Sequence, residues 1–246
     1  MPLTEPPVTL LCGASLFLDF DGTLVDLAPR PDAIEVGEEL LTLLSRLKER
    51  MDGRLALLSG RAIGDVSRFL GPLELVIGGS HGLEMPGPDG SYPAIERHAR
   101  LDEAIAELRL LETRCPGVHV EEKPAGAAIH FRLAPAAKAD CLEAAGRAAE
   151  KLGMKLQHGK MLVELKPAGA DKGTALREFM AGPPFAGTRP VFLGDDLTDE
   201  HGFEAVRELG GAGVLVGPPR KTGAIFGLKD VLAVRSWLVA AMEQLS

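Results

Sequence analysis

The chain predicts an α/β protein: a parallel-sheet core carrying a smaller inserted α+β module. Three observations lead there. At both ends of the sequence, short apolar runs alternate with amphipathic helical stretches, the pattern of strand-helix-strand units with right-handed crossovers. Four strand ends carry chemically loaded residues, Asp19/Asp21, Ser59/Arg61, Gly79/His81 and Asp195/Asp196, and a parallel sheet gathers its strand carboxyl ends along one edge. Between residues 95 and 167 the order becomes helix, two strands, helix, two strands, which reads as an antiparallel sheet with helices on one face. The core is therefore expected to comprise residues 1–94 plus 168–246, with 95–167 inserted.

The apolar stretch 8–18 reads as the first core strand and ends at Asp19. A loop with Pro29 and Pro31 follows, then Leu40, Leu43, Leu44 and Leu47 at helical spacing within 37–50. Residues 54–58 form a second strand, 62–70 a helix and 73–77 a third strand, closed by Gly78-Gly79-Ser80-His81-Gly82. Turn formers at 86–90 suggest a hairpin. In the insertion, helices are expected at 101–112 and 136–152. Strands are expected at 118–122 and 127–133, joined by a turn at 124–126, and at 155–158 and 161–165, around Gly159. The core pattern returns with a helix at 173–180, a strand at 190–193, a helix at 198–209, a strand at 212–216 and a closing helix at 231–245.

Composition narrows the class. A net charge of −8 argues against general affinity for nucleic acid or anionic membrane. Cys12, Cys115 and Cys141 are too few and too scattered for a disulfide framework or metal cluster, which fits a reducing, cytoplasmic setting. No basic residue precedes the stretch 8–18, so it does not read as a signal peptide, and no run is long enough for a membrane span. Oligomeric state is not written in the sequence; a monomer is the default expectation.

Asp19 and Asp21 are spaced i, i+2 where the first strand ends, so on an extended chain they share a face. Two such carboxylates repel unless a cation or proton neutralises them. Their oxygens favour a hard cation, Mg²⁺ first. Gly22 would let backbone approach an anion closely. Each motif taken alone also has a plain structural reading: Asp-x-Asp after a strand can be a turn or helix cap, Ser59 a cap, Lys172 a solvated lysine, and Asp199 with Glu200 a helix N-terminal pair.

Taken together, Asp19-Phe20-Asp21-Gly22-Thr23, Ser59-Gly60-Arg61, Asp171-Lys172-Gly173 and Gly194-Asp195-Asp196-Leu197-Thr198-Asp199-Glu200 resemble the haloacid dehalogenase-like (HAD) hydrolase superfamily. The resemblance implies a Rossmannoid HAD-like core with a C2-type cap. It implies Asp19 as nucleophile, Asp21 as general acid and base, Ser59 and Lys172 on phosphoryl oxygens, and Gly60 and Arg61 beside the substrate. Mg²⁺ would be held by Asp19, Asp195 and the main-chain carbonyl of Asp21, with Asp196 and Asp199 ligating or supporting.

Within that superfamily the chain is similar to trehalose-6-phosphate phosphatases. The likeness is carried by Gly79-Ser80-His81-Gly82-Leu83-Glu84, Val120-Glu121-Glu122-Lys123-Pro124, His130-Phe131-Arg132 and the segment from Gly159-Lys160 to Lys166-Pro167. Glu122, Lys123, His130, Arg132, Lys160 and Glu164 are mixed donors and acceptors of the kind sugar hydroxyls need, or else an exposed polar sheet face. Lys123 and Glu164 are the preferred sugar binders. By alternation Glu122 and Lys123 face opposite ways. His81 lines the cleft, caps a helix or fills a turn. Hinges for cap closure are expected near 93–99 and 167–170. Sucrose-phosphate phosphatase and mannosyl-3-phosphoglycerate phosphatase are the alternatives within the group. A phosphomutase or a non-catalytic phosphosugar-binding module is the alternative outside it.

Overall fold

A computed structural model describes residues 3–28, 34–87, 90–93 and 97–245. It divides into two compact units, Met1–Pro93 with Asp171–Ser246, and Ala94–Ala170. The loop prolines Pro29 and Pro31, part of the turn at 86–90 and part of the segment 93–99 lie outside the described residues.

The first unit is built on a six-stranded parallel sheet. Its strands are β1 (Ala14–Leu18), β2 (Leu55–Leu58), β3 (Val76–Gly78), β8 (Arg189–Gly194), β9 (Ala212–Val216) and β10 (Phe226–Leu228), in the order β10-β9-β8-β1-β2-β3. The order reverses between β1 and β8, the switch point where open α/β sheets place their ligands. Alternation along β1 explains the layering. Leu16 and Leu18 face a core shared with α1 (Glu38–Arg50), α2 (Ile63–Leu70) and α7 (Val231–Met242). Phe17 faces the other core, shared with α5 (Lys172–Met180) and α6 (Glu200–Glu208). Both faces of the sheet are therefore covered, which is why its strands read as continuous apolar runs.

The second unit is a four-stranded antiparallel sheet, β4 (His119–Lys123), β5 (Gly126–His130), β6 (Lys155–Gly159) and β7 (Leu162–Lys166), ordered β4-β5-β7-β6. The helices α3 (Leu101–Arg114) and α4 (Lys138–Leu152) pack on the face carrying Val120, Ile129, Val163 and Leu165. Cross-strand register puts His119, Glu121 and Lys123 on the opposite face with His130 and Glu164.

The structure corrects four details. Residues 8–11 form a 3₁₀ turn, and the first strand starts only at Ala14. The third strand starts at Val76, because the chain turns after α2 with the Leu73 amide on the Leu70 carbonyl. β5 ends at His130, with the Phe131 amide still on the Met161 carbonyl at 3.0 Å, and Arg132 lies beyond the strand. The helix expected from 198 is a 3₁₀ turn over Leu197–Asp199 followed by α6. No described helix is long and apolar enough to cross a membrane.

Candidate active site

The strand ends of the first unit bring four of the expected residues into contact. Asp19 follows β1 and extends its pairing, its amide donating to the Leu193 carbonyl at 2.9 Å. The chain then folds back, the Gly22 amide meeting the Val25 carbonyl at 2.7 Å with Gly22 at φ +82°. A Cβ on Gly22 would lie 2.3 Å from Asp195 Oδ2, so only glycine lets Asp195, at the end of β8, come this close. Lys172 opens α5, where Asp171 and Thr174 form a reciprocal cap. Its Nζ donates to Asp19 Oδ1 at 2.6 Å and to Asp199 Oδ1 at 2.5 Å. Asp199 is fully buried, and its other oxygen accepts the Asp196 amide at 2.9 Å. Asp196 itself caps Leu197 at 2.7 Å.

The electrostatics follow from burial. Burial pushes the Asp19 carboxyl well above its ordinary range; Lys172 opposes this, while Asp199 and Asp195 add to it. Burial pulls the Lys172 ammonium down, but Asp19 and Asp199 outweigh it and raise it. One carboxylate oxygen each from Asp19, Asp195 and Asp199 falls within 4.8 Å of the others. Three carboxylates against one ammonium leave two negative charges, a hard-oxygen set that fits one divalent cation. Asp199 accepts from Lys172 and the Asp196 amide at 2.5 and 2.9 Å, whereas Asp19 Oδ2 accepts only a long 3.4 Å bond from the Thr23 hydroxyl, so Asp19 is better placed than Asp199 to ligate.

Asp21 and Arg61 meet each other. The guanidinium grips the carboxylate through Nε at 2.6 Å and Nη2 at 2.8 Å and lies 5.4 Å over the Phe69 ring. The resemblance implies separate roles for these two residues; in the structure they pair with each other. The Ser59 hydroxyl is buried and accepts the Arg61 amide at 3.1 Å. The 79–84 loop is stitched to the same turn: the His81 amide donates to the Ser59 carbonyl at 2.9 Å and the Ser80 amide to the Arg61 carbonyl at 2.7 Å. Ser80 and His81 both adopt positive φ. The His81 ring lies against Gly60, where a Cβ would fall 2.5 Å from Nε2. Glu84 anchors the loop, accepting from the Ser80 hydroxyl at 3.0 Å and the Ile63 amide at 2.5 Å.

Within the second unit, Lys123 Nζ lies 3.1 Å from Glu164 Oε2, both largely buried. Beside them His130 Nε2 meets Glu121 Oε2 at 2.7 Å. Burial raises the Glu121 carboxyl, but the His130 bond and the Lys123 charge overcome it and hold the group low. Glu122 is on the helix side of the strand, exposed and paired with Arg97 at 2.8 Å and Arg109 at 3.0 Å. Glu122, expected as a sugar binder, thus leaves the Lys123 face to Glu121, and two-residue alternation with Lys123 is the sequence signal that finds Glu121. Arg132 is half-buried beyond the end of β5, and Lys160 is exposed in the β6–β7 turn.

The sequence profile described as "Trehalose-phosphatase" matches residues 17–223. A trehalose-6-phosphate phosphatase of Escherichia coli strain K12 is 39% identical over 243 residues, 96% of this chain and 89% of that protein. A solved trehalose-6-phosphate phosphatase related protein superposes with TM-score 0.79 at 29% identity, covering 94% of this chain and 97% of that one. The C-terminal domain of a C. albicans trehalose-6-phosphate phosphatase superposes with TM-score 0.84 at 21% identity, covering 98% of each chain, a likeness of fold. Parallel core, antiparallel subdomain and relatives together define a phosphatase of HAD-like fold. The chain belongs to the trehalose-phosphatase family.

Proposed function

We propose that the chain hydrolyses trehalose 6-phosphate to trehalose and inorganic phosphate through an aspartyl-phosphate at Asp19. The observation that carries this is the buried Asp19–Lys172–Asp199 arrangement at the β1/β8 switch point, with substrate identity supported by family membership and by the matched E. coli phosphatase. Asp19 attacks phosphorus and the P–O bond to the sugar breaks, the departing oxygen taking a proton from Asp21. Asp21 then draws a proton from water, which cleaves the acyl phosphate and restores the Asp19 carboxylate. For this the Asp21–Arg61 pair must open, which frees the guanidinium for a phosphoryl oxygen. Lys172 keeps one Asp19 oxygen fixed and favours the ionised form that attacks. The Ser59 hydroxyl donates a hydrogen bond to a phosphoryl oxygen.

Asp19 and Asp195 would hold Mg²⁺ with the Asp21 carbonyl, the ion supplying charge compensation for phosphoryl oxygens, while Asp199 and Asp196 support them. Sugar recognition is assigned to Lys123 and Glu164, with Glu121 and His130 beside them on the polar sheet face. The substrate is a small sugar phosphate, and the setting cytoplasmic.

A phosphate-release screen over trehalose 6-phosphate, sucrose phosphate and mannosyl-3-phosphoglycerate, with Mg²⁺ and with EDTA, tests the reading. Release is expected from trehalose 6-phosphate, abolished by EDTA and restored by Mg²⁺. Preference for another sugar phosphate overturns the substrate, and activity that survives EDTA overturns the metal.

A further inference from the structure

Arg220 lies in the loop between β9 and β10, after Gly217-Pro218-Pro219, outside every motif considered above. Its guanidinium reaches back to the strand end that carries the acidic residues. Nη2 donates to the Asp196 carbonyl at 2.7 Å and to the Asp195 carbonyl at 3.5 Å. Nη1 pairs with Glu200, the first residue of α6, and lies 3.4 Å from the Lys221 carbonyl. The other Glu200 oxygen accepts the Gly223 amide at 2.7 Å, locking the loop onto α6. The ion pair is about three-quarters buried, with side-chain exposures of 23% and 28%.

This network acts on backbone that the sheet no longer holds. The β8–β9 register ends at Gly194 with Leu215, so the Asp195 and Asp196 carbonyls lie beyond the last strand pair. Each backbone carbonyl near the interior needs a donor: the Asp196 carbonyl accepts the Asp199 amide at 3.1 Å together with Arg220 Nη2, and the same Nη2 reaches the Asp195 carbonyl. Their orientation sets where the Asp195 side chain projects, and the close approach of Asp195 to Gly22 leaves little room to drift. A single ammonium cannot reproduce a planar fork that spans two carbonyls and a carboxylate.

We propose that Arg220, locked by Glu200, is a positioning residue for the cation site: it fixes the Asp195-Asp196 backbone so that the Asp195 carboxylate is presented to Mg²⁺. The inference rests on the reading of Asp19 and Asp195 as Mg²⁺ ligands. Groups that orient ligands from outside the coordination shell typically change metal affinity 10- to 100-fold when removed.

The test is direct calorimetric titration of the metal-free enzyme with Mg²⁺, for wild type, Arg220→Ala, Arg220→Lys and Glu200→Gln, alongside the Mg²⁺ concentration for half-maximal turnover. Arg220→Ala is expected to weaken Mg²⁺ binding by about tenfold or more and to shift half-maximal turnover in parallel, with KM for trehalose 6-phosphate near the wild-type value. Arg220→Lys and Glu200→Gln should fall between wild type and Arg220→Ala, and they carry the test if Arg220→Ala does not fold. Unchanged Mg²⁺ affinity in the folded variants, with turnover lost through KM or through a lower melting temperature alone, overturns the inference while leaving the metal reading intact. A wild-type enzyme that takes up no Mg²⁺ overturns both.

Discussion

Lys172→Met removes the one ammonium that two buried carboxylates share. Nζ sits 2.6 Å from Asp19 and 2.5 Å from Asp199, and all three side chains are at most 6% exposed. Methionine fills similar volume, so the loss is electrostatic. Breaking a buried ion pair by deleting one partner costs about 3–5 kcal/mol, because the remaining charge is left uncompensated. For a chain of this size, that corresponds to a melting point lower by roughly 6–20 °C. The sign of a second change is sharper still. Asp199→Asn keeps an acceptor for the Asp196 amide but drops a charge. It should destabilise wild type and stabilise Lys172→Met, where it relieves repulsion with Asp19. Equilibrium unfolding of the four proteins in a double-mutant cycle, at pH 7 without divalent cations, reads this directly. The pH dependence has a defined direction. The Lys172 pKa is raised above its ordinary 10.5, so its stabilisation is complete below that pH and is lost only as pH climbs through the higher folded value. The gap between wild type and Lys172→Met should therefore persist at pH 9 and close further into alkali. A Lys172→Met protein within 1 kcal/mol of wild type, or an Asp199→Asn substitution that costs the same in both backgrounds, would refute the shared-cation reasoning.

Asp19→Asn should abolish turnover in a folded protein; phosphate release within tenfold of wild type, measured alongside far-UV circular dichroism, rules out Asp19 as nucleophile. Glu164→Ala removes the carboxylate 3.1 Å from Lys123 Nζ, and at about 1–3 kcal/mol for a lost desolvated contact it should lower kcat/KM on trehalose 6-phosphate roughly 5- to 160-fold; unchanged kcat/KM removes Glu164 from sugar binding. Gly60→Ala forces a Cβ to within 2.5 Å of the His81 ring, an overpacking cost of about 1–3 kcal/mol with lower kcat/KM, and adding His81→Ala should restore the melting temperature. If the double variant is no more stable than Gly60→Ala, the clash is not with His81.

Much of the architecture is legible because its signals are periodic. Leu40, Leu43, Leu44 and Leu47 announce α1 at helical spacing and are all buried. The runs ending at Leu18, Leu58 and Leu193 announce strands covered on both sides. β10 escapes because Phe226-Gly227-Leu228 is too short to show a period, and its pairing with Val214–Val216, with Thr4 bridging its outer side, makes it a strand. Side chains follow the same division. That Asp19 and Asp195 stand at strand ends can be read from the motifs, since sheet topology alone brings them together. That Asp21 faces Arg61 depends on rotamer and on how two loops meet, whereas Glu121 joining Lys123 on one sheet face follows from strand alternation alone.

Arg220 marks where such legibility ends, and the reason is physical. Its partners at the acidic strand end are main-chain carbonyls, which every residue possesses, so they leave no trace in the identity of Asp195 or Asp196. Its side-chain partner Glu200 reads in sequence as an ordinary acidic residue at a helix start. A carboxylate motif specifies which atoms could meet a cation. How firmly those atoms are held is set by groups that the motif does not contain. In this fold that hold comes from Gly22 packed on Asp195, the Asp196 amide on Asp199, and the Arg220–Glu200 lock behind the strand end.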